Sequence, residues 1–346
     1  MISTMNRPDF LIRTLNYYAK MRSEHPIYLS DSSSPENAEI IKTFTENLKN
    51  KLKINYHWFP PGFDNLEKIL PHVKEGYVVV NGDDDYEVPA SLTKCAEFLE
   101  DNPDYASAGG YGVTFRLKTS GPYGEISRLA NYPRYSIEAE TASQRMLDFM
   151  KNCFTITFAV NRVDHMRKIS VGPIPMIGTW NELSESCYCA VSGKSRIIDC
   201  LGFVRHIHDR QYYANTMVDW LTAKDFYNSY ASFRELVAGK IADMDNIPLD
   251  RAELVVRDAF WEYLQIYMAN SQRDQKKENN PHKKRTILKT LRLKTGLAFP
   301  ILKTVYHRHF SDKKQMHYEV LDPRSPYYKD FKPVQDSFTG KDIYSK

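Results

Sequence analysis

Three adjacent aspartates, Asp83, Asp84 and Asp85, follow the apolar run Tyr77-Val78-Val79-Val80 and the dipeptide Asn81-Gly82. Neighbouring carboxylates repel, and a like-charged pair about 4 Å apart costs on the order of 4 kcal/mol at an effective dielectric near 20. A divalent cation relieves that cost. Mg²⁺ and Mn²⁺ take oxygen ligands, and a site of one or two carboxylates is commonly completed by substrate phosphates. An Asp-x-Asp turn facing a nucleotide diphosphate is therefore one reading of these residues. The other is a solvated turn whose side chains accept from local backbone amides. Position favours the first. The β-branched run reads as a strand buried on both faces, and open α/β sheets bind ligands at the carboxyl ends of their strands.

Two further groups have the chemistry to work beside such a turn. Glu182 and Glu185 are carboxylates at the start of a helical pattern, suited to accepting a proton from an attacking hydroxyl. The same glutamate closes the capping-box spacing Thr179-x-x-Glu182, which by itself would account for it. His206 and His208 alternate with Ile207, so on extended backbone both rings project from one face, where neutral imidazole is a competent ligand for Mn²⁺. Arg205 and Arg210 flank them and suit phosphate, because a guanidinium binds it through two parallel hydrogen bonds. A structural histidine and a surface arginine remain the plainer alternatives.

The elements that must hold these groups follow an α/β rhythm. Met1 to Thr4 reads as a short first strand. Asn6 suits the N-cap of a helix with Leu11, Leu15 and Tyr18 on one face and Pro8 in its first turn. Ile27 to Leu29 and Ile54 to Phe59 read as strands. Between them a helix opened by Ser34-Pro35 buries Ile40, Ile41, Phe44 and Leu48. After the acidic turn come a helix with Leu92, Cys95, Phe98 and Leu99, and a strand from Tyr105 to Ala108 closed by Gly109-Gly110. Phe154 to Val160 is strand-like and Asn181 to Val191 helical, and two short strands cover Arg196 to Ile198 and Phe203 to His206. From Val218 onward the pattern is helical.

Composition narrows the class further. A chain of 346 residues with 42% hydrophobic and 26% charged residues can bury a globular core, and a formal charge of +4 is too small to define a nucleic-acid binder. There is no GxxxxGK[ST] and no GxGxxG after the first strand, which sets aside P-loop kinases and dinucleotide dehydrogenases. Five cysteines without a CxxC pair, no signal-peptide core and no long apolar stretch lead us to expect a cytoplasmic protein with free thiols.

The motifs Thr4-Met5-Asn6-Arg7-Pro8 and Asp83-Asp84-Asp85, with Tyr28-Leu29-Ser30-Asp31 and Asn181-Glu182-Leu183, resemble those of glycosyltransferase family 2, in a bacterial and archaeal branch. The likeness spans roughly residues 1–210 and is strongest at the two N-terminal motifs. It implies a GT-A fold, a Rossmann-like, mostly parallel sheet flanked by helices, over residues 1–215 with a helical extension over 216–272. By the same resemblance Thr4, Asn6 and Arg7 line the nucleotide pocket and Asp31 faces the base. Asp83 and Asp84 would lie on the donor, Asp85 and Asp83 on Mn²⁺ or Mg²⁺, with His206 or His208 as a late ligand and Arg210 on phosphate. Glu182 is the expected catalytic base. Plainer roles exist for Asn6, as a helix cap, and for Asp31, as the start of a turn. Family members usually carry several more residues before the first motif.

The activity implied is transfer of a sugar from a nucleotide-diphosphate sugar to a glycan or lipid-linked acceptor, with inversion, in cell-surface polysaccharide synthesis. Two alternatives belong to other classes: a non-catalytic glycan- or membrane-binding relative, and a sugar-phosphate nucleotidyltransferase. The latter lacks its Gly-rich loop after the first strand. Residues 273–346 read as a basic amphipathic tail, with Lys276, Lys277, Lys283, Lys284 and Arg285 followed by Leu288, Leu291 and Leu293. On an anionic leaflet each such cation contributes about 1 kcal/mol, so the inner face of the cell membrane is an expected partner. A solvated linker with an ordinary helix is the alternative.

Overall fold

The computed structural model describes residues 1–60, 66–170, 179–210, 217–278 and 315–340. Two sheets share the load. The first has the order β3 (Ile54–Trp58), β2 (Ile27–Asp31), β1 (Ile2–Thr4), β5 (Asn81–Gly82), all parallel. The second runs β4 (Tyr77–Val78), β9 (Val160–Arg162), β7 (Tyr105–Leu117), β10 (Lys194–His206), β6 (Tyr86–Glu87), with β8 (Ile126–Tyr132) paired to β7. In the first sheet α1 (Pro8–Lys20) and α2 (Pro35–Asn47) make the crossovers that parallel strands require.

The expected single strand before the acidic turn is divided between the sheets. Tyr77–Val78 pairs antiparallel with β9, whereas Asn81–Gly82 pairs with β1, and the chain then returns to the second sheet at Tyr86–Glu87. Asp83, Asp84 and Asp85 thus occupy the seam. Its residues follow suit: Val78 is buried, but Tyr77, Val79 and Val80 are only partly covered, so the run is not a strand enclosed on both faces.

Two other expectations shorten what are long strands. β7 runs straight through Gly109-Gly110, and β10 joins the two segments read separately around residues 196–206. The glycines are there for close approach: a Cβ on Gly110 would lie 2.5 Å from Gly202 N and 2.6 Å from Cys200 O. Phe154 to Val160 is mostly not strand, because Ile156–Phe158 form a 3₁₀ turn before β9. Of the residues assigned to the inner face of α2, Ile41 and Leu48 are buried while Ile40 is 47% exposed.

The remaining helices are α3 (Leu66–Ile69), α4 (Pro89–Asp101), α5 (Ala142–Lys151), α6 (Val163–Ser170), α7 (Thr179–Ser192), α8 (Met217–Leu221), α9 (Phe226–Asp245), α10 (Leu249–Glu278), α11 (Met316–Glu319) and α12 (Tyr328–Thr339). α9 and α10 pack on α5 and α7, and one core takes in Trp180 of α7 with Trp220, Phe233, Val256 and Phe260. The helical extension therefore shares a core with the helix that carries Glu182. Part of the segment read as a basic tail is also core: Met316, Phe331, Val334 and Phe338 are buried against α1 and the sheets. The basic residues from Lys283 to Lys294 lie outside the described residues. Among the described residues no helix is long and apolar enough to cross a membrane.

Candidate active site

Strand register builds the site. Thr4 lies opposite Asp31 and Ser3 opposite Gly82, so the loops leaving β1, β2 and β5 all open at one edge of the first sheet. Asn6 is not the cap of α1. It sits in the left-handed region at φ 56°, and Arg7 precedes the helix in its place. Its backbone N–H donates to Ser33 Oγ at 2.8 Å, and its Oδ1 accepts from Ser34 N at 2.8 Å and Asn37 Nδ2 at 3.1 Å. Asn6 thereby ties the β1 loop to the start of α2, and its backbone turn aims Arg7 at the acids. Asp31 is wholly buried, with Oδ1 accepting from Ser33 N and Oδ2 from Tyr56 OH. Those are the contacts of a turn former.

The acidic turn is buried, which removes the solvated reading. Asp83 is 0% exposed, Asp84 5% and Asp85 3%. Each carboxylate has its own partners. Asp83 accepts from Thr4 Oγ1 at 2.7 Å and from Arg7, whose NH2 lies 2.5 Å from Oδ1 and whose Nε lies 3.3 Å from Oδ2. Asp84 Oδ2 meets Arg7 NH1 at 3.1 Å and His208 Nε2 at 2.8 Å. Asp85 Oδ1 accepts from the backbone N–H of His206 at 2.8 Å, and its Oδ2 lies 3.9 Å from Arg205 Nε. Gly82 makes room for this: a Cβ there would stand 2.6 Å from Asp84 Oδ1.

Burial raises Asp83 and Asp85 above the usual carboxylate range, against the opposing pull of Arg7 on Asp83, and with Asp84 raising Asp85 further. Asp84 goes the other way. Burial pushes it up, but His208 and Arg7 together hold it below its ordinary value. The histidines divide similarly. His208 holds Asp84 and stacks on Phe10 at 4.4 Å, while His206, 0% exposed, lies parallel to Phe115 at 4.5 Å with Nδ1 3.0 Å from Arg13 NH1. Burial, then the Arg13 charge, pushes the His206 ring down to about 2, so it is neutral.

The four expected metal ligands, Asp83, Asp85, His206 and His208, do not form a ready-made cage. Among the described residues no three His, Cys, Asp or Glu side chains form a group able to hold an ion. The reason is that Asp83 is taken by Thr4 and Arg7, His208 by Asp84, and His206 by Arg13. Asp85 Oδ2 differs, since it accepts no hydrogen bond among the described residues. The residues present thus fit an ion held by one carboxylate and completed by oxygens from outside the chain.

Arg205 lies beside the acidic turn, 3.9 Å from Asp85 Oδ2. Burial opposes its charge, but Asp85, and Glu182 more weakly, hold its guanidinium above its ordinary value. Glu182 is solvent-accessible in the first turn of α7, and crowding lifts its carboxyl above the usual range while Arg205 pulls it down. Glu185, one turn on, is half-buried. Arg210 pairs with Asp9 at 2.6 Å, lies over the Phe10 ring, and offers its carbonyl to Arg7 NH1 at 3.3 Å.

Sequence reasoning passed over Arg13 and Thr14. Arg13 is 1% exposed, donates to the Asp84 carbonyl at 2.6 Å and to the Pro122 carbonyl at 2.9 Å, and lies between the Phe10 and Tyr86 rings. Thr14 Oγ1 donates to the Asp83 carbonyl at 2.7 Å. α1 is buried on more than one face, so the apolar stripe of Leu11, Leu15 and Tyr18 gives no sign that the polar residues between them are buried too.

No family model matches the chain, and no curated protein is similar to it in sequence. Solved structures do resemble it. TarS of S. aureus, residues 1–349 in complex with UDP-GlcNAc, superposes with a TM-score of 0.50 at 13% identity, covering 76% of this chain and 72% of that one. The fold is GT-A-like. A second structure of TarS residues 1–349 gives a TM-score of 0.49 at 13% identity, over 78% of this chain and 70% of that one. The mannosyltransferase PcManGT of Pyrobaculum calidifontis, in complex with GDP-Man and Mn²⁺, gives 0.40 at 9% identity, over 84% and 82% of the two chains.

Proposed function

We propose that this chain is a glycosyltransferase that moves a sugar from a nucleotide-diphosphate sugar to a glycan or lipid-linked acceptor, with inversion. The observation that carries the reading is the buried acidic turn at the open edge of a GT-A-like sheet, bracketed by Arg7 and Arg205. Buried carboxylates raised by desolvation and set among guanidiniums are the environment expected of a functional site. A diphosphate laid against this edge would find guanidiniums on both sides of the turn, and Thr4 and Asn6 would shape the nucleotide pocket by fixing Asp83 and the β1 loop.

Mn²⁺ or Mg²⁺, when bound, would be held by Asp85 together with donor phosphates, and would supply charge neutralisation to the departing diphosphate. Glu182 takes the proton of the acceptor hydroxyl as that oxygen attacks the anomeric carbon from the face opposite the leaving group. Its raised carboxyl suits a base, because a conjugate acid closer to working pH is the stronger proton acceptor. Arg205, 3.9 Å from Asp85 Oδ2, offers a charge-assisted donor to the developing negative charge on the leaving side. Association of the basic segment with an anionic inner leaflet would bring such an enzyme to a lipid-linked acceptor.

The test is a thermal-shift and hydrolysis screen against UDP-, GDP-, CMP- and dTDP-sugars with and without Mn²⁺, comparing the wild type with Asp85→Ala. Stabilisation by one donor with slow metal-dependent hydrolysis, both lost in the variant, is the expected result. Binding of a glycan with no hydrolysis of any donor would replace the transferase with the non-catalytic reading.

A further inference from the structure

The acid cluster carries its own counter-cation. Arg7 grips Asp83 with two nitrogens, NH2 at 2.5 Å from Oδ1 and Nε at 3.3 Å from Oδ2, and reaches Asp84 Oδ2 with NH1 at 3.1 Å. One planar fork thus clamps two buried aspartates, a geometry that a lysine cannot reproduce. The Arg7 side chain is 20% exposed while those of Asp83 and Asp84 are 0% and 7% exposed. Arg7 is therefore the most solvent-accessible of the three, and the one an arriving anion meets most readily. Its loop is anchored by Asn6 to the start of α2, so the side chain can swing without the backbone following.

Three guanidiniums lie around the three carboxyl groups. Asp83, Asp84 and Asp85 face Arg7, Arg205 at 3.9 Å from Asp85, and Arg13, whose NH2 donates to the Asp84 carbonyl at 2.6 Å. A bare divalent cation approaching this cluster meets three guanidiniums and finds Asp83 already accepting three hydrogen bonds. A nucleoside diphosphate changes the exchange, because its phosphate oxygens are bidentate acceptors for arginine as good as the carboxylate it would leave.

We propose that Arg7 is a displaceable internal counter-cation that makes metal binding conditional on the diphosphate. In the donor-free chain it holds Asp83 and Asp84. On arrival of the diphosphate its hydrogen bonds pass from Asp83 to phosphate oxygens, and Asp83 Oδ1 becomes available to the ion beside Asp85 Oδ2, while Thr4 keeps its bond to Asp83 Oδ2. This rests on the donor reading above, and it goes further by fixing an order: no tight metal binding without nucleotide.

The experiment titrates Mn²⁺ into the full chain and follows free Mn²⁺ by electron paramagnetic resonance, with no nucleotide and with UDP, GDP or dTDP, in the wild type, Arg7→Met and Arg7→Lys. Wild type is expected to bind Mn²⁺ at least tenfold more tightly with the matching nucleoside diphosphate than without. Arg7→Met is expected to bind Mn²⁺ alone at least tenfold more tightly than wild type, with the nucleotide enhancement reduced. Arg7→Lys, which keeps the charge and loses the fork, should fall between them, and it carries the test if circular dichroism shows that Arg7→Met does not fold. If nucleotide-free Mn²⁺ affinity is unchanged in the folded variants while wild type still takes up Mn²⁺ with nucleotide, the counter-cation role is wrong and the donor reading stands. If none of UDP, GDP and dTDP recruits Mn²⁺ to any form of the protein, both fall.

Discussion

At the scale of single residues, the acidic turn works because its surroundings hold it still, and Arg13 is the residue that does most of this from behind. Its three hydrogen bonds reach the Asp84 carbonyl, the Pro122 carbonyl and His206 Nδ1, so it fixes the turn's backbone, the β7 to β8 connection and the neutral histidine together. Because Arg13 can only donate, His206 Nδ1 must accept, which leaves the ring proton on Nε2. Arg13→Met should therefore leave the buried Asp84 carbonyl, the half-buried Pro122 carbonyl and a ring nitrogen without their donor. The expected loss is about 3 kcal/mol in urea denaturation, since each stranded buried acceptor costs about 1–3 kcal/mol and part of that is recovered by the apolar side chain. A change under about 1 kcal/mol would mean that Arg13 is a passive filler. The sequence made the carboxylates legible because three adjacent charges are hard to explain otherwise. It left Arg13 hidden, since its partners are backbone carbonyls far away in sequence, and a carbonyl has no residue type to read.

Among the elements, the readable features were those with local causes. α1 begins at Pro8 and α2 at Pro35, each with proline in the first turn, and the rhythm of short apolar runs and helices identified the parallel first sheet. What failed was the use of Gly109-Gly110 as the end of a strand. Gly110 lies inside β7 because β10 approaches it through Gly202, a tertiary reason that local propensity cannot express. The contact is testable. In Gly110→Ala the new methyl would lie 2.5 Å from Gly202 N, 2.6 Å from Cys200 O and 2.8 Å from Cys200 Sγ. Backbone on a central strand cannot step aside as a flexible side chain can, so β7 and β10 must part locally. A destabilisation of about 3 kcal/mol is expected in equilibrium denaturation, at the upper end of overpacking costs. Hydrogen exchange should show faster amides on both strands around Tyr111 and Leu201, their paired residues. Unchanged exchange would show that the glycines were not required for the approach.

For the whole molecule, the C-terminal helix is wired to the site across the domain. Phe338 on α12 is 0% exposed and stacks on Phe115 at 4.3 Å; Phe115 stacks on His206 at 4.5 Å; His206 neighbours His208 at 4.7 Å, and His208 holds Asp84. The Phe338 carbonyl also accepts from Gly124 N at 2.7 Å, and Ser337 Oγ meets Tyr86 OH at 2.9 Å, so α12 closes both the β7 to β8 connection and the strand that follows the acidic turn. Composition drew attention to the basic residues ahead of this helix, and the helix itself passed as part of a tail, because its apolar face means little until a partner surface is known. Removing the Phe338 ring tests the link. Phe338→Ala should cost about 3–5 kcal/mol, the usual range for emptying a buried aromatic site, while Phe338→Leu should cost clearly less by keeping most of the volume. Beyond stability, the two variants separate packing from wiring. If Phe115 and His206 relax into the space left by the ring, the backbone N–H of His206 shifts from Asp85 and donor binding weakens in Phe338→Ala even at temperatures where the variant is fully folded. Calorimetric titration of the matching nucleotide sugar into both variants reads this directly. Equal affinities in wild type and folded Phe338→Ala would confine α12 to holding the domain together, and a selective loss in the alanine variant would make the C-terminal helix part of what positions the acidic turn.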